Sequence, residues 1–290
     1  MGLRAKFNLV MIVAFAIGLA VATFLAREIT TDEAKRQVLN EATLIMRAGT
    51  AVRSYTQKEI GPLLSEQMSV RFLPHSVPSW SAHTVLRAVQ KDYPDYSYKE
   101  AALNPTNPAD RATNWEADII AAFKRDGELK EFVTTRDTPS GQFLAFARPF
   151  RLTDRGCLGC HSTPAAAPPT MVDLYGNGNG FGWTQGDVIG AQIVSVPMTF
   201  ALTRANHALL AFVAALSAVF VVMLVALNVL MHFFIVKPMQ RITMLARDVS
   251  AGKPDVPEYN VKGKDEIASL GRSFNLMHRS LQNAMRMLEN

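Results

Sequence analysis

Two uncharged apolar runs constrain this chain more than any other feature. Residues 9–26 contain no charge, are interrupted only by Gly18 and Thr23, and are bracketed by Lys6 and Arg27. As a helix this run rises about 27 Å, close to the bilayer core of about 30 Å. Residues 208–236 form the second run, with Ser217, Asn228 and His232 as its polar interruptions. It is longer than a single crossing requires, so it is expected to tilt or to project from the bilayer. A cleaved signal peptide is the rival reading of the first run, because Ala20-Val21-Ala22 resembles a cleavage site behind a charged start. The second run favours an uncleaved anchor, and either reading exports the residues after the first run. His232, a lone histidine near the end of its run, is expected at the membrane interface rather than as a metal ligand.

Charge supports this topology. Residues 27–206 carry 19 basic and 19 acidic side chains, whereas Arg4 and Lys6 precede the first run and residues from 237 onward hold nine basic and six acidic ones. The whole excess of +5 therefore flanks the apolar runs on one side. By the positive-inside rule, both ends are cytoplasmic and the middle is exported. The expected division is a short cytoplasmic segment (1–8), a first membrane helix (9–26), an exported domain (27–206), a second membrane helix (207–236) and a cytoplasmic tail (237–290). The host membrane is then a bacterial inner membrane, with the middle domain periplasmic. A basic total of this origin does not point to nucleic acid, and no basic and aromatic patch accompanies it.

The exported segment contains Cys157-Leu158-Gly159-Cys160-His161, which holds both cysteines of the chain. Cys-x-x-Cys-His is the attachment sequence of c-type haem: two thiols bond the vinyl groups and the histidine becomes an axial ligand of the iron. A zinc ribbon needs a second cysteine pair, which is absent, and a redox disulfide leaves the histidine unexplained. One covalent haem c is therefore the expected cofactor. Cys157, Cys160 and His161 are its expected anchors, with His161 on the iron.

Around the motif the pattern alternates between helix and strand. Thr30, Thr31 and Asp32 are suitable caps, and Val38, Ala42, Ile45, Gly49 and Val52 recur at helical spacing. This predicts one long helix that continues the first membrane run and ends near Gly61-Pro62. Further helices are predicted over 81–91 and 109–125, and strands over 129–135, 142–150 and 188–196, with Thr138-Pro139-Ser140-Gly141 as a hairpin turn. Prolines interrupt 63–108. Glycines at 176, 178, 180 and 182 surround Phe181 and Trp183. A phosphate loop is rejected there, since no Lys-Ser or Lys-Thr comes after it and the loop leads into a strand. Close approach of backbone to a haem face, with Phe181 or Trp183 packed on the ring, is the expected use; a plain surface loop is the alternative.

In the tail, Pro238, Ile242, Leu245 and Val249 make one heptad seam, and Ile267, Leu270, Phe274, Met277, Leu281, Ala284 and Leu288 make another. The connector, 252–264, contains Pro254, Pro257 and Gly263. Two short helices cannot bury both seams alone, so a homodimeric four-helix bundle is expected. With Pro238, Asp265-Glu266-Ile267, Phe274, Asn275 and Met277, this tail resembles a HAMP domain, the relay between membrane sensors and their outputs.

Six motifs occur in order along the exported segment: Val52-Arg53-Ser54-Tyr55, Phe72-Leu73-Pro74-His75-Ser76-Val77-Pro78, Asn104-Pro105-Thr106-Asn107-Pro108, the Cys-x-x-Cys-His run, the stretch 175–183, and Gly190-Ala191-Gln192-Ile193-Val194-Ser195-Val196-Pro197. Together they resemble a family of bacterial c-type haem sensor domains with a PAS-like fold. The resemblance implies an α+β domain, a small antiparallel sheet flanked by helices with haem at one face. Members can use a cysteine thiolate as second axial ligand. Here both cysteines are consumed by the haem linkages, so the sixth position falls to another side chain, to water or to nothing. Met46 is the first candidate, with His75, His83 and Met198 as rivals; packing in the core is the alternative for Met46. Arg53 and Tyr55 are candidates for the haem propionates, and either is equally a fold residue.

Two functions are expected on these grounds. The first is a membrane-anchored haem sensor that passes a redox or diatomic-gas signal through the HAMP relay to a separate cytoplasmic partner. The second is an anchored electron-transfer cytochrome, working with a periplasmic redox partner, whose tail serves only for dimerisation. No acid/base constellation points to an enzyme.

Overall fold

The computed structural model describes residues 2–253 and 255–289. Pro254, one of the connector prolines, lies outside the described residues, as does the side chain of Leu288. The chain divides into two compact units, Met1–Phe24 with Leu210–Asn290, and Leu25–Leu209.

Helix α1 (Leu3–Tyr55) runs for 53 residues without a break. Thr30 and Thr31, which read as caps, lie inside it, and the Thr30 hydroxyl donates to the Ala26 carbonyl at 2.9 Å instead. Helical winding continues through a π-helical segment, Thr56–Ile60, into the single turn α2 (Gly61–Leu63). After α3 (Ser65–Val70) and α4 (Pro78–Asp92) comes a strand the sequence pattern does not announce, β1 (Ser97–Ala102). Its polar Tyr-Lys-Glu text hides it, because Tyr98 and Glu100 point into a buried polar network rather than into solvent.

Helix α5 spans Asn114–Arg125, later than the predicted start at 109. Pro108–Asp110 is a 3-10 turn, and the Glu116 carboxylate closes the true helix start by accepting the Thr113 N–H at 2.7 Å. Strands β2 (Phe132–Thr138) and β3 (Gly141–Arg151) form the expected hairpin. The haem motif supplies α6 (Leu158–His161), and Pro169 at the first helical position opens α7 (Pro169–Tyr175), which the proline-rich text also conceals. Strand β4 (Val188–Pro197) completes an antiparallel four-stranded sheet in the order β1-β4-β3-β2.

Both sheet faces are covered. Leu144, Phe146, Val194 and Val196 pack against Val38, Ala42 and Met46 of α1. The alternate residues Ala147, Ala191 and Ile193 pack against Ile119, Ile120 and Phe123 of α5. The α+β class is as expected.

The other unit holds the membrane-length helices and the tail. Helix α8 (Thr199–Met231) passes through a second π-helical segment, His232–Val236, into α9 (Lys237–Ser250), and α10 (Glu266–Glu289) comes after the connector. Two helical runs, Arg4–Leu63 and Thr199–Ser250, are long and apolar enough to cross a membrane. Where they meet, Asn8 and Asn228 exchange amide hydrogen bonds at 3.1 and 2.9 Å, Phe15 stacks on Phe220 at 3.8 Å, and Arg4 reaches the His232 ring. In the tail, Asn275 binds both the N–H and the C=O of Tyr259 at 2.8 Å, pinning the connector to α10.

Candidate functional site

Strand β3 delivers the chain to the site. After Arg151, Leu152 is tied by backbone bonds to Asp187 and Gly186 at 2.9 and 2.8 Å, which fixes where the motif begins. The Asp154 carboxylate then accepts the Gly156 N–H at 2.8 Å and starts a 3-10 turn, Arg155–Cys157, that leads into α6. This winding puts Cys157 and Cys160 three residues apart on one helical face. Both are free thiols, half-buried, and both line a cavity of about 670 Å³ together with His161. Burial raises both thiols above their ordinary range, and Asp154 adds to the effect at Cys157.

His161 is held from behind. Its Nδ1 lies 2.7 Å from the Gly180 carbonyl and 3.3 Å from the Thr106 hydroxyl, and the Trp183 indole stacks on the imidazole at 3.9 Å and 12°. Burial pushes the histidine pKa down, which favours the neutral ring. A neutral ring that donates Nδ1–H to Gly180 keeps its Nε2 lone pair for a metal. The glycine-rich loop is clamped in this position by Gly182 N–H to Ser162 C=O (3.0 Å), Trp183 N–H to His161 C=O (3.2 Å) and Gly180 N–H to Asn104 Oδ1 (3.2 Å). Gly180 sits at φ +83°, and a Cβ there would collide with Thr106. The loop therefore cradles the histidine, and the Asn-Pro-Thr-Asn-Pro turn supports it from the other side.

The remaining candidates fall into distinct places. Arg53 and Trp183 line the cavity, but the Arg53 guanidinium is engaged by Glu100 and lies 4.3 Å over the Phe150 ring. Its Nη1 is the donor that Glu100 takes, and the guanidinium itself stands on the cavity wall. Tyr55 is 59% exposed and Phe181 is half-buried; neither is on the cavity wall, and the Phe181 carbonyl accepts from Asn104 at 3.3 Å. Met46 and Met198 are fully enclosed in the core between α1 and the sheet. Its spacing on α1 turns Met46 toward the sheet and off the cavity wall. His75 is not itself on the wall but packs at 4.6 Å on Trp80, which is. His83 is on the wall, yet its Nε2 accepts the Glu100 N–H at 3.2 Å.

Several wall residues had no sequence signal of their own. Among them are Met68, whose sulfur accepts the Leu73 N–H at 3.0 Å, and the acids Glu100 and Asp110. The Glu100 carboxylate also accepts the Tyr98 hydroxyl at 2.7 Å, and Gln192 donates to that hydroxyl at 2.9 Å. Burial pushes the Tyr98 phenol far up, so it remains a donor.

Among the described residues no cluster of three His, Cys, Asp or Glu side chains forms a metal site of its own. The donors suit a group that brings its own metal instead. Two adjacent thiols, one imidazole nitrogen and an open cavity within the usual volume range for a bound cofactor fit a covalently attached haem.

The sequence model of the Tll0287-like family matches residues 31–197, more than half of the chain. The chain belongs to the Tll0287-like family. The HAMP domain model matches residues 230–283. Among solved structures, one described as the crystal structure of the cyanobacterial heme-protein Tll0287 aligns with a TM-score of 0.44 at 17% identity, covering 55% of this chain and 94% of that one. No curated protein matches. Within the Tll0287-like segment of this chain lie the cavity, both thiols and the whole cradle of His161, and the HAMP segment begins inside α8 at residue 230.

Proposed function

We propose that this Tll0287-like chain is a membrane-anchored haem sensor. Cys157 and Cys160 attach one haem c covalently, His161 ligates its iron, and the HAMP segment relays the state of the site to a separate partner. The observation that carries this reading is the convergence of both thiols and His161 on one cavity, with the imidazole already oriented by Gly180 and Trp183. When bound, the group supplies one-electron redox chemistry and a site for diatomic gases. The protein supplies the rest: α6 presents the thiols, Gly180 holds the Nδ1 proton, and the Trp183 stack limits rotation of the ring. Glu100 joins Tyr98 and Arg53 in one hydrogen-bonded polar network that reaches the cavity wall.

Transmission has a direct covalent route. Arg53 and Gln57, at the end of α1 and in the π segment after it, line the cavity, and α1 itself contains the first membrane-length run. Strand β4 leads within two residues into α8, which holds the second. The basic flanks support a haem domain outside the inner membrane with both ends in the cytoplasm, and the open HAMP seams support a homodimer.

The test is expression with c-type haem maturation, and then haem staining of a denaturing gel. Wild-type chain is expected to stay stained, and Cys157→Ala with Cys160→Ala to lose the stain; a wild type that loses its haem in the gel sinks covalent attachment. Spectra with CO and NO then separate the signals. Ready binding by the ferrous protein favours gas, and a six-coordinate iron inert to both favours redox state.

A further inference from the structure

Asp110 and His83 face each other on the cavity wall. His83 Nε2 is 3.7 Å from Asp110 Oδ1, and the two side chains are 10% and 16% exposed. The same Nε2 accepts the backbone N–H of Glu100 at 3.2 Å. An imidazole nitrogen that accepts carries no proton, so it has none to donate to the carboxylate. Two acceptors thus confront each other out of water, an arrangement that one added proton would relieve.

The charges around the pair act on it in both directions. From β1, Glu100 is occupied by Arg53 of α1 and by the Tyr98 hydroxyl. Lys99, also on β1, is spent on Glu116 of α5 at 2.8 Å and on the Arg111 carbonyl at 2.8 Å. Arg87 of α4 is exposed at the cavity rim. Burial holds the Asp110 carboxyl above the usual range and Glu100 pushes it the same way, while His83, Arg87 and Lys99 pull it down.

We propose that Asp110 and His83 form a redox-linked proton-binding site on the wall of the cofactor cavity. The proposal rests on the haem reading. On reduction of the bound haem by an external one-electron donor, one proton from solvent would bond to Asp110 Oδ1 or His83 Nε2, so the added negative charge would be balanced. No covalent bond of the protein breaks. With the proton in place, Nε2 and Oδ1 close into a hydrogen bond and the Glu100 N–H loses its acceptor. Because the Glu100 carboxylate holds Arg53, the proton is felt at the end of α1, next to the π segment. The pair thus converts the redox state of a buried group into a change in a backbone contact between β1 and α4.

The experiment is a spectroelectrochemical titration of the full haem-loaded chain with redox-mediator dyes from about pH 5 to 8. The reduced state binds the proton more tightly, so the midpoint potential falls as pH rises. Its slope approaches about 59 mV per pH unit, a tenfold change in equilibrium constant for a one-electron couple. Asp110→Asn and, independently, His83→Gln flatten the slope. A haem-loaded wild type with a pH-independent potential overturns the proposal alone. A slope that persists in either loaded variant assigns the proton elsewhere and overturns it too. A wild type with no Soret band overturns the haem reading, and this proposal with it.

Discussion

At the scale of single residues, the sulfur atoms divide by where they point. Met68 presents a thioether to the cavity wall with one lone pair already oriented by the Leu73 N–H. If it reaches the iron, Met68→Ala changes the ferric absorption spectrum and lowers the reduction potential. Met46, 0% exposed in the sheet core, gives the opposite result. Met46→Ala leaves the haem spectrum unchanged and lowers stability by about 2–5 kcal/mol in denaturant titration, the range for emptying a packed methionine site. The five contiguous residues of the haem motif were legible in the sequence because their chemistry depends on local spacing. The Asp110–His83 pair was not, because it is assembled from α4 and the turn after β1, and nothing in either stretch announces the other. Likewise the cradle role of Gly180 depends on Thr106, far away in the chain, so the loop reads in sequence as facing the haem rather than as supporting its histidine.

Among the elements, the apolar runs were legible from length and charge, but their mutual contacts were not. Asn228 reads in sequence as a polar interruption; in the structure it is half of a reciprocal amide pair with Asn8. In a lipid environment such a pair contributes about 0.6–2 kcal/mol to helix association. Asn228→Leu is therefore expected to weaken pairing of the two helices by that amount, measured as easier separation in detergent titration, while the Phe15–Phe220 stack remains. A variant as firmly paired as wild type would show that the amides contribute nothing net. Strand β1 escapes the sequence pattern for a related reason. Strand propensity is a matter of packing against neighbours, and the partners of Tyr98 and Glu100 are Gln192, Arg53 and His83 on other elements.

For the molecule as a whole, the HAMP helices show what a single chain leaves unfinished. Ile242, Ala268 and Phe274 are buried, whereas Leu270, Met277 and Leu281 of the second seam are 44–57% exposed. A second copy laid along this face would complete a four-helix bundle. With Met277→Cys and a short bifunctional maleimide, the haem-loaded chain is expected to cross-link to its copy in membranes, with a yield that changes on reduction; an identical yield in both states counts against a relay. Between the membrane run and this bundle lies the π segment His232–Val236. A π turn carries one residue more than the α turn it replaces, and one residue is about 100° of rotation. The angular phase of α9 is thus set by a single surplus residue: deleting one position there would present a different side of the helix to its partner, as though the hand of a dial had been moved without touching the mechanism behind it.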